Sequence, residues 1–210
     1  MPRFEIRQCP ACRLRYPQPE AVSQTACPAC GGPAAVVVPP FEPPTVPARP
    51  RPPNGLLVAA LLDNIRSAWN VGSMFRTADA AGLRHLYLCG ITATPENPKV
   101  AKTALAAETS VGWSHHNDAL ALAARLKAEG CRLWGLETHP EADNLFEVCC
   151  QPGARVVLVV GNEQSGVDPA LLGVCDRLVA IPMQGVKESL NAAVAFGVAV
   201  FELGVRSPGG

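Results

Sequence analysis

Residues 156–166 read VVLVVGNEQSG: five branched apolar residues without a polar break, then a loop of glycine, amide, carboxylate and hydroxyl side chains. An unbroken apolar run of strand length is the mark of a strand buried on both faces, the habit of parallel sheets. The change at Gly161 puts a polar loop at the strand's carboxyl end, where ligands collect in open α/β sheets. Outward from there, LLVAALL at 56–62 repeats the pattern, and Arg84–Cys89, Arg132–Leu136 and Arg177–Ile181 add further strand-length segments. Helical stretches lie between them at Trp69–Ala81, Asp118–Glu129 and Leu190–Leu203. Asn117 reads as an N-cap of the second and Gly130 as its stop. This alternation predicts an α/β domain with a mostly parallel sheet over residues 54–210.

Upstream the composition changes. Residues 39–53 (PPFEPPTVPARPRPP) hold eight prolines, each lacking an N–H donor and fixing φ, so they predict a linker in polyproline II form. At roughly 3.1 Å per residue it would span about 45 Å. Residues 1–38 carry Cys9-Pro10-Ala11-Cys12 and Cys27-Pro28-Ala29-Cys30. Two knuckles of this spacing suit a tetrahedral tetrathiolate site, with zinc first and iron the alternative. So short a segment cannot build an adequate core, and bound metal would supply its folding energy. Such a zinc ribbon would be structural, contacting either RNA or protein.

Formal net charge is zero, so no global field advertises a polyanionic partner. Residues 1–53 carry six Arg against three Glu, however, leaving the remainder acidic by three. No stretch resembles a secretory signal or reaches the roughly 20 apolar residues a bilayer requires. The expectation is a cytoplasmic protein with no membrane partner, whose other cysteines (Cys89, Cys131, Cys149, Cys150, Cys175) are core or incidental thiols.

Three polar clusters punctuate the α/β region: NVGSMFRTA at 70–78, GNEQSG at 161–166 and IPMQGVKESLN at 181–191. Ser67 and Asn70 are candidate caps, Gly72 permits close backbone approach, and Ser189 can cap the last helix. Asn70 and Arg76 lie too far round a helix to share a face, so a joint role would place Asn70 in the preceding loop. Neither a dinucleotide fingerprint nor a P-loop is present. His115 and His116 read as loop or surface residues, and Lys99, Lys102 and Lys187 as phosphate contacts or solvated charge. Physics alone stops at an α/β ligand-binding domain with loops at its strand ends.

In order, however, N-x-G-x-x-x-R-T-A, V-x-G-N-E-x-x-G and I-P-M-x-G-x-x-x-S-L-N resemble the three signature motifs of the SpoU (TrmH-like) RNA methyltransferases of the SPOUT superfamily. The likeness covers about residues 55–205, including NPKVAKTALAAE at 97–108, where Ala106 replaces an expected Gly. It implies a C-terminal trefoil knot, a homodimer joined through the knot region, and S-adenosylmethionine held by the loops near 136–138, 161–166 and 181–190. It implies Leu136, Glu137, Gly161, Asn162, Ile181, Met183, Ser189 and Leu190 as cofactor contacts. Arg76 would act on a ribose 2′-hydroxyl of tRNA or rRNA, with Asn70 positioning it or the ribose. Glu163 would order the second loop and hold Arg76 or the substrate, and Ser189 and Asn191 would shape the third loop beside the cofactor and ribose. Two other outcomes remain open: base methylation, and a non-catalytic RNA-binding or assembly factor.

Overall fold

The computed structural model describes residues 2–43, 57–148 and 154–205 in two compact units, Met1–Pro50 and Arg51–Gly210. The first is a three-stranded antiparallel sheet of β1 (Phe4–Gln8), β2 (Arg15–Pro19) and β3 (Ala35–Phe41), ordered β2-β1-β3. Among the described residues its buried apolar core is Cys9, Cys27 and Ala34, with Leu14 and Tyr16 packed alongside. β3 enters the expected linker, carrying Pro39 and Pro40 within a strand. It can do so because it is an edge strand whose pairing with β1 is irregular, so missing N–H donors cost little. The rest of the Pro-rich stretch, and Cys149 and Cys150, lie outside the described residues. Of the arginines that made this segment basic, Arg7 is paired with Glu5 at 2.6 Å and Arg3 with Glu20 at 3.3 Å. Arg13 and Arg15 remain exposed.

The second unit is a seven-stranded sheet, ordered β6-β5-β4-β9-β7-β10-β8, in which every pairing is parallel. Its strands are β4 (Leu57–Asp63), β5 (His85–Cys89), β6 (Gly112–His116), β7 (Arg132–Leu136), β8 (Asp143–Asn144), β9 (Val156–Val160) and β10 (Arg177–Ala180). The helices are α1 (Ala68–Ala81), α2 (Pro98–Ala104), α3 (Ala119–Ala128), α4 (Pro169–Val174) and α5 (Ala192–Val205). All five residues of β9 are buried, and the period of two divides them between the sheet's faces. Val156, Leu158 and Val160 join the core that contains Phe75 and Phe196, from α1 and α5. Val157 and Val159 join the opposite core with Leu122 of α3 and Leu171 of α4. Each such side chain contributes roughly 1.5–3 kcal/mol when fully buried.

The predicted helices are displaced by a residue or two. Asp118, not Asn117, caps α3, accepting from the Ala121 N–H at 2.9 Å. Asn191, not Ser189, caps α5, its Oδ1 accepting from Ala193 at 2.9 Å and Val194 at 3.3 Å. His115 and His116 belong to edge strand β6, which its polar sequence concealed. Among the described residues no helix is long and apolar enough to cross a membrane.

Candidate active site

Because β9 lies between β4 and β7, and β10 beyond β7, the loops leaving β7, β9 and β10 emerge side by side. Together with the start of α5 they enclose a cavity of about 410 Å³. Leu136, Glu137, Gly161, Asn162, Ile181, Met183, Ser189 and Leu190, the residues expected to hold a cofactor, all line it. So do Thr138, Gln164, Ser165 and Glu188, which the sequence did not single out beyond their place in the same loops. Residues 184–191 are exposed, Val186 almost wholly at 98%, so this wall is the least covered by the chain itself.

The 161–166 loop is fixed by its own polar groups. Asn162 Oδ1 accepts from Gln164 and Ser165 N–H groups, and its Nδ2 donates to the Asn64 carbonyl at 2.7 Å. A Cβ on Gly161 would collide with the backbone of Gly166 and Val167, so that position is closed to side chains. Gly166 has φ +73° and lies against the Glu137 carboxylate, which accepts from the Val167 N–H at 2.9 Å. Behind this loop Asp63 is 2% exposed and accepts from Asn64 Nδ2 at 2.7 Å and the Asp168 N–H at 3.2 Å. Burial pushes its carboxyl above the usual range. The Asp63-Asn64 pair went unmarked in the sequence, although its place at the end of an apolar run was the available signal.

Glu163 joins this loop to α1. Its carboxylate accepts from the N–H groups of Arg66 at 2.8 Å and Ser67 at 3.0 Å and from Asn70 Nδ2 at 2.8 Å. Burial opposes its charge, but those donors hold its carboxyl below the ordinary glutamate range. Asn191 Nδ2 completes the chain by donating to Asn70 Oδ1 at 3.3 Å. Asn70 sits in the first turn of α1, within the helix expected from Trp69, because Ser67 caps the helix and accepts from the Asn70 N–H at 3.3 Å. Glu163 holds the start of α1 through these three donors, and no hydrogen bond or ion pair joins it to Arg76 among the described residues. Arg76 is exposed on α1, outside the cavity, with no side-chain hydrogen bond or ion pair among the described residues. Ser189 lines the cavity, while Asn191 faces Asn70.

The family model described as "SpoU rRNA Methylase family" matches residues 57–201. The chain belongs to the SpoU rRNA methylase family. Among SpoU relatives it is 36% identical to the 23S rRNA (guanosine(2553)-2′-O)-methyltransferase RlmP of Bacillus subtilis, over 68% of this chain and 56% of that protein. It is 32% identical to the 23S rRNA (guanosine-2′-O-)-methyltransferase RlmB of Escherichia coli K12, over 68% and 57%. The chain thus spans little more than half the length of these curated relatives. Its fold is similar to that of the SpoU methyltransferase AviRb from Streptomyces viridochromogenes in complex with AdoMet. There the TM-score is 0.64 and the identity 29%, over 72% of this chain and 61% of that one. The AdoMet-bound rRNA methyltransferase of Sinorhizobium meliloti gives a TM-score of 0.66 at 27% identity, over 73% and 57%. The family model's match falls within the larger unit, and the small unit holds a second candidate site. There Cys9, Cys12, Cys27 and Cys30 bring their sulfurs within 4.8 Å of one another, with Cys9–Cys30 and Cys12–Cys27 each at 3.5 Å.

Proposed function

We propose that this protein transfers the methyl group of S-adenosylmethionine to a ribose 2′-hydroxyl of RNA, rRNA or tRNA. The observation that carries the proposal is the convergence of three loops on one cavity, hydrogen-bonded through Glu163, Asn70 and Asn191 to the helix bearing Arg76. The lining fits such a cofactor: Leu136, Ile181, Met183 and Leu190 offer apolar surface to a purine and a thioether-like chain. Glu137 and the loop backbone offer polar contacts, and about 410 Å³ lies within the range of small-molecule sites. When bound, the sulfonium supplies an already activated methyl group.

The protein's own work is alignment. A guanidinium is a poor base, so the role given to Arg76 is to orient the 2′-hydroxyl and the adjoining phosphate. Glu163 and Asn70 fix where α1 begins, and so where Arg76 stands, and misplacement by about 1 Å costs on the order of 100-fold in rate. Ser189 and Asn191 shape the wall between cavity and α1. Supporting a homodimer is α5, which leaves Val194 52% and Phe201 45% exposed on a helix whose one charged residue is Glu202. The trefoil knot implied by the family resemblance accords with the insertion of β9 between β4 and β7.

In the small unit we infer a structural zinc ion held by Cys9, Cys12, Cys27 and Cys30. Zinc–sulfur bonds of about 2.3 Å make a tetrahedron with edges of about 3.8 Å, close to the sulfur separations here. The test of function is calorimetric titration with S-adenosylmethionine, followed by transfer of labelled methyl to unmodified rRNA and tRNA and nucleoside analysis. Binding near one per subunit and a 2′-O-methyl nucleoside are expected. A methylated base would redirect the proposal to base chemistry, and absent cofactor binding would leave an RNA-binding or assembly role.

A further inference from the structure

Helix α1 buries Val71, Met74, Phe75 and Ala78, and at about 100° per residue these make one continuous face. Trp69 lies on the opposite side and is 45% exposed, so core packing gives no account of the largest side chain on the helix. Ser73 and Arg76 follow it at i+4 and i+7, both exposed, completing a stripe. Along one flank Gly72 lets α2 approach, since a Cβ there would strike the Val100 carbonyl and Thr103. That approach brings Lys102 Nζ over the indole, 5.7 Å from the ring centroid. Exposed Lys99 stands one turn before it on α2. Trp69 also adjoins Asn70, whose side chain is tied to Glu163 and Asn191.

We propose that Trp69 and Lys102 form a stacking platform for an unpaired base of the RNA substrate, beside the nucleotide presented to Arg76. The proposal rests on the RNA methyltransferase reading and deepens it. An indole ring with a neighbouring ammonium is the chemistry by which proteins hold single-stranded RNA, the ring taking a base and the ammonium a phosphate. Trp69 and Arg76 lie about 10 Å apart along the helix axis, so one strand can touch both. A second copy of the chain is a poorer occupant, because interface centres are depleted in lysine, and Lys102 stands over the ring.

The test uses the full chain and fluorescence anisotropy with a labelled 12-nucleotide single-stranded RNA and a duplex of the same sequence. Wild type, Trp69→Ala, Trp69→Phe and Lys102→Gln are compared, with S-adenosylmethionine affinity as the check on folding. Trp69→Ala should weaken single-strand binding about ten-fold or more, and Trp69→Phe should retain most of it. Lys102→Gln should lower the slope of log affinity against log salt by about 0.7, the share of one phosphate contact. Equal RNA affinity of Trp69→Ala and wild type would overturn the platform while leaving methyl transfer untouched. Loss of self-association in sedimentation, with RNA binding unchanged, would assign Trp69 to an interface between copies. Wild type that binds neither RNA and transfers no methyl would overturn both proposals.

Discussion

The Glu163 carboxylate accepts a hydrogen bond from Asn70 Nδ2 at 2.8 Å across 93 residues of chain, joining the loop after β9 to the first turn of α1. With the Arg66 and Ser67 N–H groups on the same carboxylate, one side chain fixes the start of the helix that carries Arg76. Glu163→Ala strands those donors, and loss of hydrogen bonds to a charged acceptor costs about 1.5–3 kcal/mol. Thermal unfolding should fall by roughly 2–4 °C for each kcal/mol lost. Methyl transfer should fall more steeply than cofactor affinity. An unchanged midpoint and rate would show that α1 is positioned without this carboxylate.

The same contact has a pH signature. The Glu163 carboxyl is lower in the folded protein than in an unfolded chain, because the N–H donors outweigh its burial. Its contribution to stability is therefore complete above the ordinary glutamate range and is lost as pH falls through the lowered folded value. Glu163→Gln should flatten the acid limb of the stability profile and leave the neutral region offset but parallel. Identical acid limbs for wild type and Glu163→Gln, measured by denaturant titration, would count against it.

Arg76 is exposed, outside the cavity and without a side-chain partner among the described residues, an unusual state for a residue placed at a reacting hydroxyl. That separation gives a clean expectation. Arg76→Ala should lower methyl transfer at least about 100-fold, because alignment of the hydroxyl is lost. S-adenosylmethionine affinity, measured by calorimetry, should stay within error of wild type, since no cavity contact is removed. Undiminished turnover would take Arg76 out of the mechanism.

What could be read in the sequence followed the strength of its local signals. β9 was legible because five apolar residues admit almost no other placement, and the cavity lining because its residues cluster in three loops. Edge strand β6 was not, since GWSHH lacks apolar alternation and is held only through its pairing with β5. The donors on Glu163 were not legible for a different reason. Which donors a carboxylate meets depends on where a helix starts in space, and the cap at Ser67 leaves Asn70 Nδ2 and the Arg66 and Ser67 N–H groups within reach of it. Pro39 and Pro40 forbid a central strand but not an edge one, and sequence does not say which strand will be the edge.

Ala106 shows a local rule being broken at a measurable cost. It has φ +71° directly after Leu105 at φ +52°, two consecutive residues in the left-handed region without glycine. Each non-glycine residue there costs roughly 1–2 kcal/mol. Ala106→Gly relieves that strain but adds unfolded-chain entropy of about 0.5–1 kcal/mol, so the net gain should lie between zero and about 1.5 kcal/mol. A higher melting temperature for Ala106→Gly is expected. A lower one would mean that the Ala106 methyl makes contacts that outweigh its backbone strain.

The two units should respond separately to metal removal. Among the described residues the apolar side chains that the small sheet buries are Cys9, Cys27 and Ala34, too little apolar surface to order some 40 residues unaided. Structural zinc contributes about 10–16 kcal/mol in small domains of this kind, and that is folding free energy. A strong chelator, or Cys9→Ser, should therefore make residues 2–43 susceptible to protease and abolish their amide protection. The larger unit has its own two cores on either face of the sheet, so its unfolding midpoint and its S-adenosylmethionine affinity should not move. Elemental analysis should find close to one zinc per chain before treatment and none after. A ribbon that stays protected once metal-free would show that its strands fold without the ion, and metal analysis finding iron in place of zinc would reassign the ion but leave the unfolding prediction standing.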